Sequence, residues 1–348
     1  MAARNLAAVL HGKDDLRLEE IAVPEPGENE VQLSMGSVGI CGSDIKYWAY
    51  GQCGRFKLTD PMIIGHEGSG VVTKVGPGVK HLAVGDRVAI EPGVPCRTCE
   101  LCKEGKYNLC PEVRFCATPP IDGNLSRFYV HAADFCFKLP DTLSMEEGAM
   151  VEPLAVCVYG CQRGGVTLGS RVLICGAGPV GIMAMMVAKA LGASAVCITD
   201  IDNTRLSAAR SLGADHVLKV TTGDCEALAG VIQDTLGCHP HVTLECSGSD
   251  QSLTTGIHAT RPGGSVVLIG RGSMQPAIPI VLAATKEVDI KGVFRYANCY
   301  PKAISLLESG KVDVKPLITH RFNLMDSVKA FEAAKDRNSG AIKVMINC

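Results

Sequence analysis

The sequence predicts an α/β protein in two parts, one rich in antiparallel strands and one built on a parallel sheet. Two patterns carry this expectation. Between residues 29 and 90, short segments alternate apolar and polar side chains and are punctuated by glycine, as half-buried antiparallel strands do. From about Leu154 onward, apolar strand-like runs alternate with helix-like runs, and regular β-α-β-α alternation means a parallel sheet with right-handed crossovers. A length of 348 residues suits roughly two domains of about 100–200 residues each.

Taken in order, "NEVQLSMGSVGI", "GSGVVTKVG" and "DRVAIEP" read as strands. Residues 91–125 read as a loop that holds the cysteines, and "SRFYVHAADFCFKLP" returns to strands. "RVLICG" is a short buried strand; "PVGIMAMMVAKAL" is a helix with Pro179 near its start and Gly192 past its end. The alternation continues through strand "SAVCITD", helix "NTRLSAARSL", strand "DHVLKV", helix "CEALAGVIQDTL", strand "HVTLECSG", helix "QSLTTGIHAT" and strand "GSVVLIG". The last fifty or so residues hold helix-like "YPKAISLLESG" and "DSVKAFEAAK", then strand-like "GAIKVMIN".

Composition excludes several function classes. The formal charge is −2, so bulk electrostatics draw the chain to neither nucleic acid nor an anionic membrane. The longest uncharged run, 172–188, is short for a membrane span and is interrupted by Gly176, Gly178, Pro179 and Gly181. The start of the sequence carries no secretory signal. The 17 cysteines are an odd number, and without such a signal reduced thiols in the cytosol are expected. Most lie in apolar runs, as Cys175 and Cys197 do, where a thiol serves as a small hydrophobe.

Two motifs carry chemistry. In "VLICGAGPVG" the glycines Gly176, Gly178 and Gly181 form G-x-G-x-x-G between a strand and a helix, with Asp200 closing the next strand. Such glycines let the backbone turn tightly against a pyrophosphate at a helix N-terminus, and Asp200 can accept from an adenosine ribose while repelling a 2′-phosphate. That favours NAD over NADP, although Arg205 could hold either a ribose hydroxyl or a phosphate. The second motif is C-x2-C-x2-C-x7-C at Cys96, Cys99, Cys102 and Cys110. Four thiolates enclose Zn²⁺ tetrahedrally and leave no position for water or substrate, so this site is structural. A catalytic zinc needs an open position, and its candidate ligands are Cys41 in "GICGSD", His66 and Glu67 in "IIGHEGSG", and Glu152 in "VEPLAV". Read alone, a cysteine such as Cys41 is more often a packed thiol and a histidine such as His66 more often a satisfied turn residue.

The stretch "GHEGSGVVTKVGPGVKHLAVGDRV" resembles the signature of the zinc-containing alcohol dehydrogenase family of the medium-chain dehydrogenase/reductase superfamily. "GICGSDIKYW", "FCATPPIDGNLSRFYVH", "MVEPLAVCVYGCQRGGV", "DIKGVFRYAN" and "VKPLITHRF" are similar to its polyol dehydrogenase branch, and the resemblance covers nearly the whole chain. It implies a GroES-like β-rich catalytic domain, residues 1–154 and 290–348 with a zinc lobe at 91–115. A Rossmann coenzyme domain with a doubly wound parallel sheet, residues 155–289, would be inserted into it. It also implies one catalytic and one structural zinc per chain, with Cys41, His66, Glu67 and a water on the catalytic metal. Glu152 would contact that water or serve as an alternate ligand; ordinary alcohol dehydrogenases place a cysteine there.

By the same resemblance, substrate contacts fall on Tyr47, Glu152, Arg295 and Tyr296, with Ser43, Phe115 and Thr118 nearby. Coenzyme contacts fall on Val180, Asp200, Arg205, Ile269, Gly270, Arg271, Val293, Phe294 and Arg295. The implied reaction oxidises a polyol such as sorbitol or xylitol at C2, passing hydride to NAD and the proton out through Glu152, Ser43 or water. A cytoplasmic homotetramer is implied as well. Two features depart from relatives. Lys46 stands where many have histidine, which puts a histidine relay in doubt, and all four lobe cysteines are present, unlike in mammalian members of the branch. The latter points to a non-mammalian member, or to a related polyol enzyme such as a xylitol dehydrogenase. Another zinc dehydrogenase acting on L-threonine, or a non-catalytic NAD(H)-binding protein, is the alternative.

Overall fold

The structure is a computed structural model and describes residues 4–348. It divides into two compact units. Among the described residues the first comprises 4–153, 300–308 and 313–348, and the second 154–299 and 309–312.

The first unit is built on a seven-stranded mixed sheet. Its order is Cys136–Lys138, Arg87–Ile90, Glu67–Val75, Glu30–Gly39, Lys343–Asn347 and Ile318–Asn323, with Phe128–Ala132 also pairing Glu30–Gly39. Glu30–Gly39 is the central strand and reads as alternation because it buries one face more than the other. A smaller sheet is made by Asn5–Gly12 between Asp15–Ile21 and Met62–Ile63. That first hairpin escapes a pattern reading, because Asn5–Gly12 is a continuous buried run while Asp15–Ile21 is charged. The helix Gly42–Tyr50 is short and half polar, and it too is invisible to periodicity. It ends on Gly51, whose φ of 69° closes the helix in the left-handed region.

The second unit is a six-stranded, all-parallel sheet. Its order is His216–Lys219, Ala195–Asp200, Arg171–Cys175, Val242–Glu245, Ser265–Leu268 and Asp289–Gly292. Numbered along the chain this is 3-2-1-4-5-6, the doubly wound arrangement in which the strand order reverses beside the first strand. Strand Arg171–Cys175 is central, with Val172, Leu173 and Ile174 fully buried, because helices cover both faces of such a sheet. The sixth strand, Asp289–Gly292, lies across the expected boundary at residue 290, and the chain leaves this unit only after Cys299. Its charged, half-exposed sequence does not look like a sheet strand because it sits at the edge. Helix Val151–Gly164 was also not expected; its two glycines and three polar residues blur the pattern.

The described residues contain no helix long and apolar enough to cross a membrane. The chain's single tryptophan, Trp48, is buried in the first unit and meets Phe331 edge-to-face at 5.8 Å between centroids. Phe331→Ala removes a fully buried ring, so it is expected to cost the first unit about 3–5 kcal/mol. Denaturant titration followed by Trp48 fluorescence measures the shift; an unchanged midpoint contradicts this packing.

Candidate functional site

Two groups of metal-ligating side chains converge among the described residues, and both lie in the first unit. In the lobe, the sulfurs of Cys96, Cys99, Cys102 and Cys110 all lie within 4.8 Å of one another. The helix Glu100–Lys103 buries no residue, so packing alone gives the lobe little reason to fold. What does order it is donation to sulfur and anchoring at the edges. The Thr98 hydroxyl and the Cys99 backbone N–H donate to Cys96 Sγ at 3.6 and 3.3 Å, and with the Thr98 N–H they bring this thiol down to about 6. The Cys96 N–H faces Cys110 Sγ at 3.4 Å. Outside the ring of sulfurs, Arg97 forks onto Asp134 at 2.7 and 2.8 Å, and the Tyr107 hydroxyl donates to Glu91 Oε1 at 2.7 Å. Four sulfurs at mutual contact, one of them stabilised as thiolate, suit a closed tetrahedral zinc.

The second group is Cys41, His66 and Glu67, whose donor atoms also lie within 4.8 Å of one another. Cys41 precedes the helix Gly42–Tyr50; His66 and Glu67 sit where the strand Glu67–Val75 begins, after Gly65 turns the chain at φ 93°. Asp44, which the sequence reading passed over, organises the group. Its Oδ2 accepts from the Cys41 backbone N–H at 3.0 Å, and its Oδ1 meets His66 Nδ1 at 3.1 Å. A carboxylate only accepts, so Nδ1 carries a proton and Nε2 is the nitrogen left for a cation, which would displace any proton held there. Burial alone would depress the His66 imidazolium, but Asp44 and Cys41 outweigh it and raise its pKa well above the usual value. A pocket that pulls a proton onto a buried imidazole is short of positive charge, as an open metal site should be.

A second side chain missed in the sequence is Lys343. It is buried, donates to Glu67 Oε2 at 2.5 Å and to the Ile40 carbonyl at 3.1 Å, and stays charged because Glu67, Cys41 and Glu152 outweigh its burial. The only signal was a lysine inside the apolar run "GAIKVMIN". The carboxylate of Glu152 is buried too, in the first turn of helix Val151–Gly164. Phe115 packs its ring 5.8 Å from that of His66, and the Thr118 N–H closes a turn onto the Phe115 carbonyl at 3.1 Å. Tyr47 is buried, with Ser43 and Lys46 half-buried, on the helix that Cys41 begins.

The coenzyme candidates lie in the second unit. Gly176, at the end of the first parallel strand, has φ 101°, which favours glycine. A Cβ on Gly181 would lie 1.8 Å from the Gly176 carbonyl oxygen, so only hydrogen fits there. A Cβ on Gly178, at the mouth of helix Pro179–Ala190, would meet nothing within 4 Å. Tight packing at the first and third glycines and open space at the second is the arrangement a pyrophosphate needs. Asp200 ends the neighbouring strand with Oδ2 accepting from the Ala177 N–H at 2.7 Å and Oδ1 from the Asp202 N–H at 2.9 Å, which fixes its direction. Asp202 then caps the helix that carries the exposed Arg205. The Val180 carbonyl accepts from the Cys157 thiol at 3.3 Å. Ile269 and Gly270 leave the fifth strand with both N–H groups on the Glu245 carbonyl. The Val293 N–H reaches the Leu268 carbonyl at 3.1 Å. The Arg271 and Arg295 guanidinium groups face the Phe294 ring at 5.8 and 4.7 Å, and Tyr296 is buried beside them.

Residues 27–141 match the alcohol dehydrogenase GroES-like domain family and residues 179–309 the zinc-binding dehydrogenase family. Sorbitol dehydrogenase from Macaca fascicularis is 55% identical over 345 residues, covering 99% of this chain and 96% of that protein. The human sorbitol dehydrogenase is 55% identical with the same coverage over 344 residues. Among solved structures, L-idonate 5-dehydrogenase from Escherichia coli superposes with a TM-score of 0.91 at 29% identity, covering 100% of this chain and 99% of that one. With its glycine turn and two donor clusters in place, the chain belongs to the sorbitol dehydrogenase family of zinc-binding dehydrogenases with an alcohol dehydrogenase GroES-like domain.

Proposed function

We propose that this protein is an NAD-dependent zinc polyol dehydrogenase that reversibly oxidises the C2 hydroxyl of sorbitol, xylitol or a similar polyol to the ketose. The observation that carries the reading is the open donor set of Cys41, His66 and Glu67, organised by Asp44 and distinct from the closed Cys₄ lobe. Cys41, His66 and Glu67 would hold the catalytic zinc, and Cys96, Cys99, Cys102 and Cys110 the structural one. When bound, the catalytic zinc supplies Lewis acidity that makes a hydroxyl easier to ionise. The NAD nicotinamide is the acceptor of the C2 hydride, and the hydroxyl proton leaves as H⁺.

The chain's own residues do the rest. Glu152 is assigned as the first acceptor of the hydroxyl proton, with Ser43 as an alternative donor–acceptor, and the proton passes on to solvent. Tyr47, Phe115, Thr118, Arg295 and Tyr296 are assigned to the remainder of the polyol, whose fixed position is worth several orders of magnitude in rate. The Gly176–Gly181 turn is assigned to the pyrophosphate, with Val180, Ile269, Gly270, Arg271, Val293, Phe294 and Arg295 around the coenzyme. Asp200 takes the ribose hydroxyls, with Arg205 beside it on the next helix. We place the enzyme in the cytosol as a homotetramer. All 17 cysteines are free thiols, which suits a reducing compartment, and the tetramer rests on the family alone.

Steady-state oxidation of sorbitol, xylitol and L-arabinitol, each with NAD and NADP, tests the reading. Turnover of at least one polyol with NAD is expected; turnover of L-threonine in place of all three rejects it, and no turnover with any coenzyme favours a binding protein. Asp200→Ala removes a charged acceptor for a ribose hydroxyl and the repulsion of a 2′-phosphate. NAD is expected to lose roughly 10–100-fold in kcat/KM while NADP gains. Equal losses for both coenzymes would leave Asp200 a purely structural role.

A further inference from the structure

Within the first unit, three neighbouring strands place Glu67 and Lys343 on either side of Gly39. The central strand Glu30–Gly39 pairs Gly39 with Glu67 on one flank and with Met345 on the other. The outer two strands are therefore about 10 Å apart, two strand spacings, which only long side chains can bridge. They do so over Gly39, where a side chain is missing. A Cβ there would fall 2.3 Å from Glu67 Oε2, the oxygen that accepts from Lys343 Nζ. Both residues are buried, and Lys343 is tied at its other contact to the Ile40 carbonyl, next to Cys41. The contact is thus specified by three positions and is not an incidental surface pair.

A carboxylate can hold a divalent cation with one oxygen or with both. With Oε2 fastened to an ammonium, Glu67 can offer only Oε1. Charge acts in the same direction. The ammonium offsets one of the negative charges that Cys41, Asp44, Glu67 and Glu152 gather here, and it repels a cation held beside it. We propose that Lys343 is a positioning residue of the metal site: it withholds one oxygen of Glu67 and holds a positive charge beside the cation, which keeps the site open and its cation loosely bound. This rests on the metal reading of Cys41, His66 and Glu67. It gives the buried lysine a purpose that fold stability does not, because a buried ion pair contributes little net stability over apolar side chains.

The test is cobalt binding. With the lobe zinc left in place, the Cys41–His66–Glu67 site is emptied by a chelator and titrated with Co²⁺ in the native protein, Lys343→Met, Lys343→Gln and Lys343→Arg. Visible absorption reports both affinity and geometry, since four-coordinate cobalt absorbs strongly and five- or six-coordinate cobalt weakly. Lys343→Met is expected to bind Co²⁺ at least about tenfold more tightly, with a weakened band as Glu67 closes with both oxygens. Lys343→Gln, which loses the charge and keeps a donor to Oε2, is expected to bind tighter with the native band. Lys343→Arg is expected to stay near the native affinity. Equal or weaker binding in Lys343→Met and Lys343→Gln, or an unchanged band in Lys343→Met, overturns the proposal. Should Lys343→Met not fold, the affinity of Lys343→Gln decides alone. Native protein that binds cobalt nowhere outside the lobe would overturn the functional reading itself, and this proposal with it.

Discussion

Asp44 is the constraint on which the metal-site geometry depends. It is almost completely buried, and its two oxygens are spent on two different chain segments, the Cys41 backbone and the His66 ring. A buried carboxylate costs too much unless its hydrogen bonds are made, so the helix that starts at Gly42 and the turn before Glu67 must come together for either to be stable. The consequence is chemical as well as structural. Fixing a proton on His66 Nδ1 fixes the orientation of the ring and so the direction in which Nε2 faces, before any metal arrives to displace the proton there. Lys343 supplies the opposing charge, so the centre is a buried electrostatic cluster with a deficit that a cation fills.

The two metal clusters use opposite strategies. The Cys₄ lobe has four donors and no core of its own, so a metal there would serve the fold. The Cys41 cluster has three donors inside a well-packed unit, so a metal there would serve the chemistry. The second unit repeats the idea of leaving one place open. Gly181 is packed so closely that only glycine fits and Gly176 turns at a φ that favours glycine, while Gly178 faces space.

Much of this was legible in the sequence, and the reasons are local. The glycine turn, Asp200 and the lobe cysteines are close-range patterns whose spacing carries their chemistry. The parallel sheet was legible because each of its inner strands is a short apolar run between helical repeats; the edge strand Asp289–Gly292, half-exposed and charged, was not. Cys41 and His66 alone were ambiguous, and the family resemblance assigned them. Asp44 and Lys343 were not seen, because their roles come from partners 22 and 276 residues away in the chain. The meeting of Glu67 with Lys343 over Gly39 requires a register across three strands, one of them from the far end of the chain, that no pattern along the sequence encodes.

The central claim is that the open cluster carries the chemistry and the closed lobe does not. Stepwise zinc removal tests it most directly, with metal content, polyol oxidation and Trp48 fluorescence followed together in the same sample. The account predicts that the first zinc to leave takes all of the activity with it while the fold persists, and that restoring one zinc per chain restores the rate. Activity that survives loss of the first zinc, and disappears only when the lobe gives up its own, would contradict it.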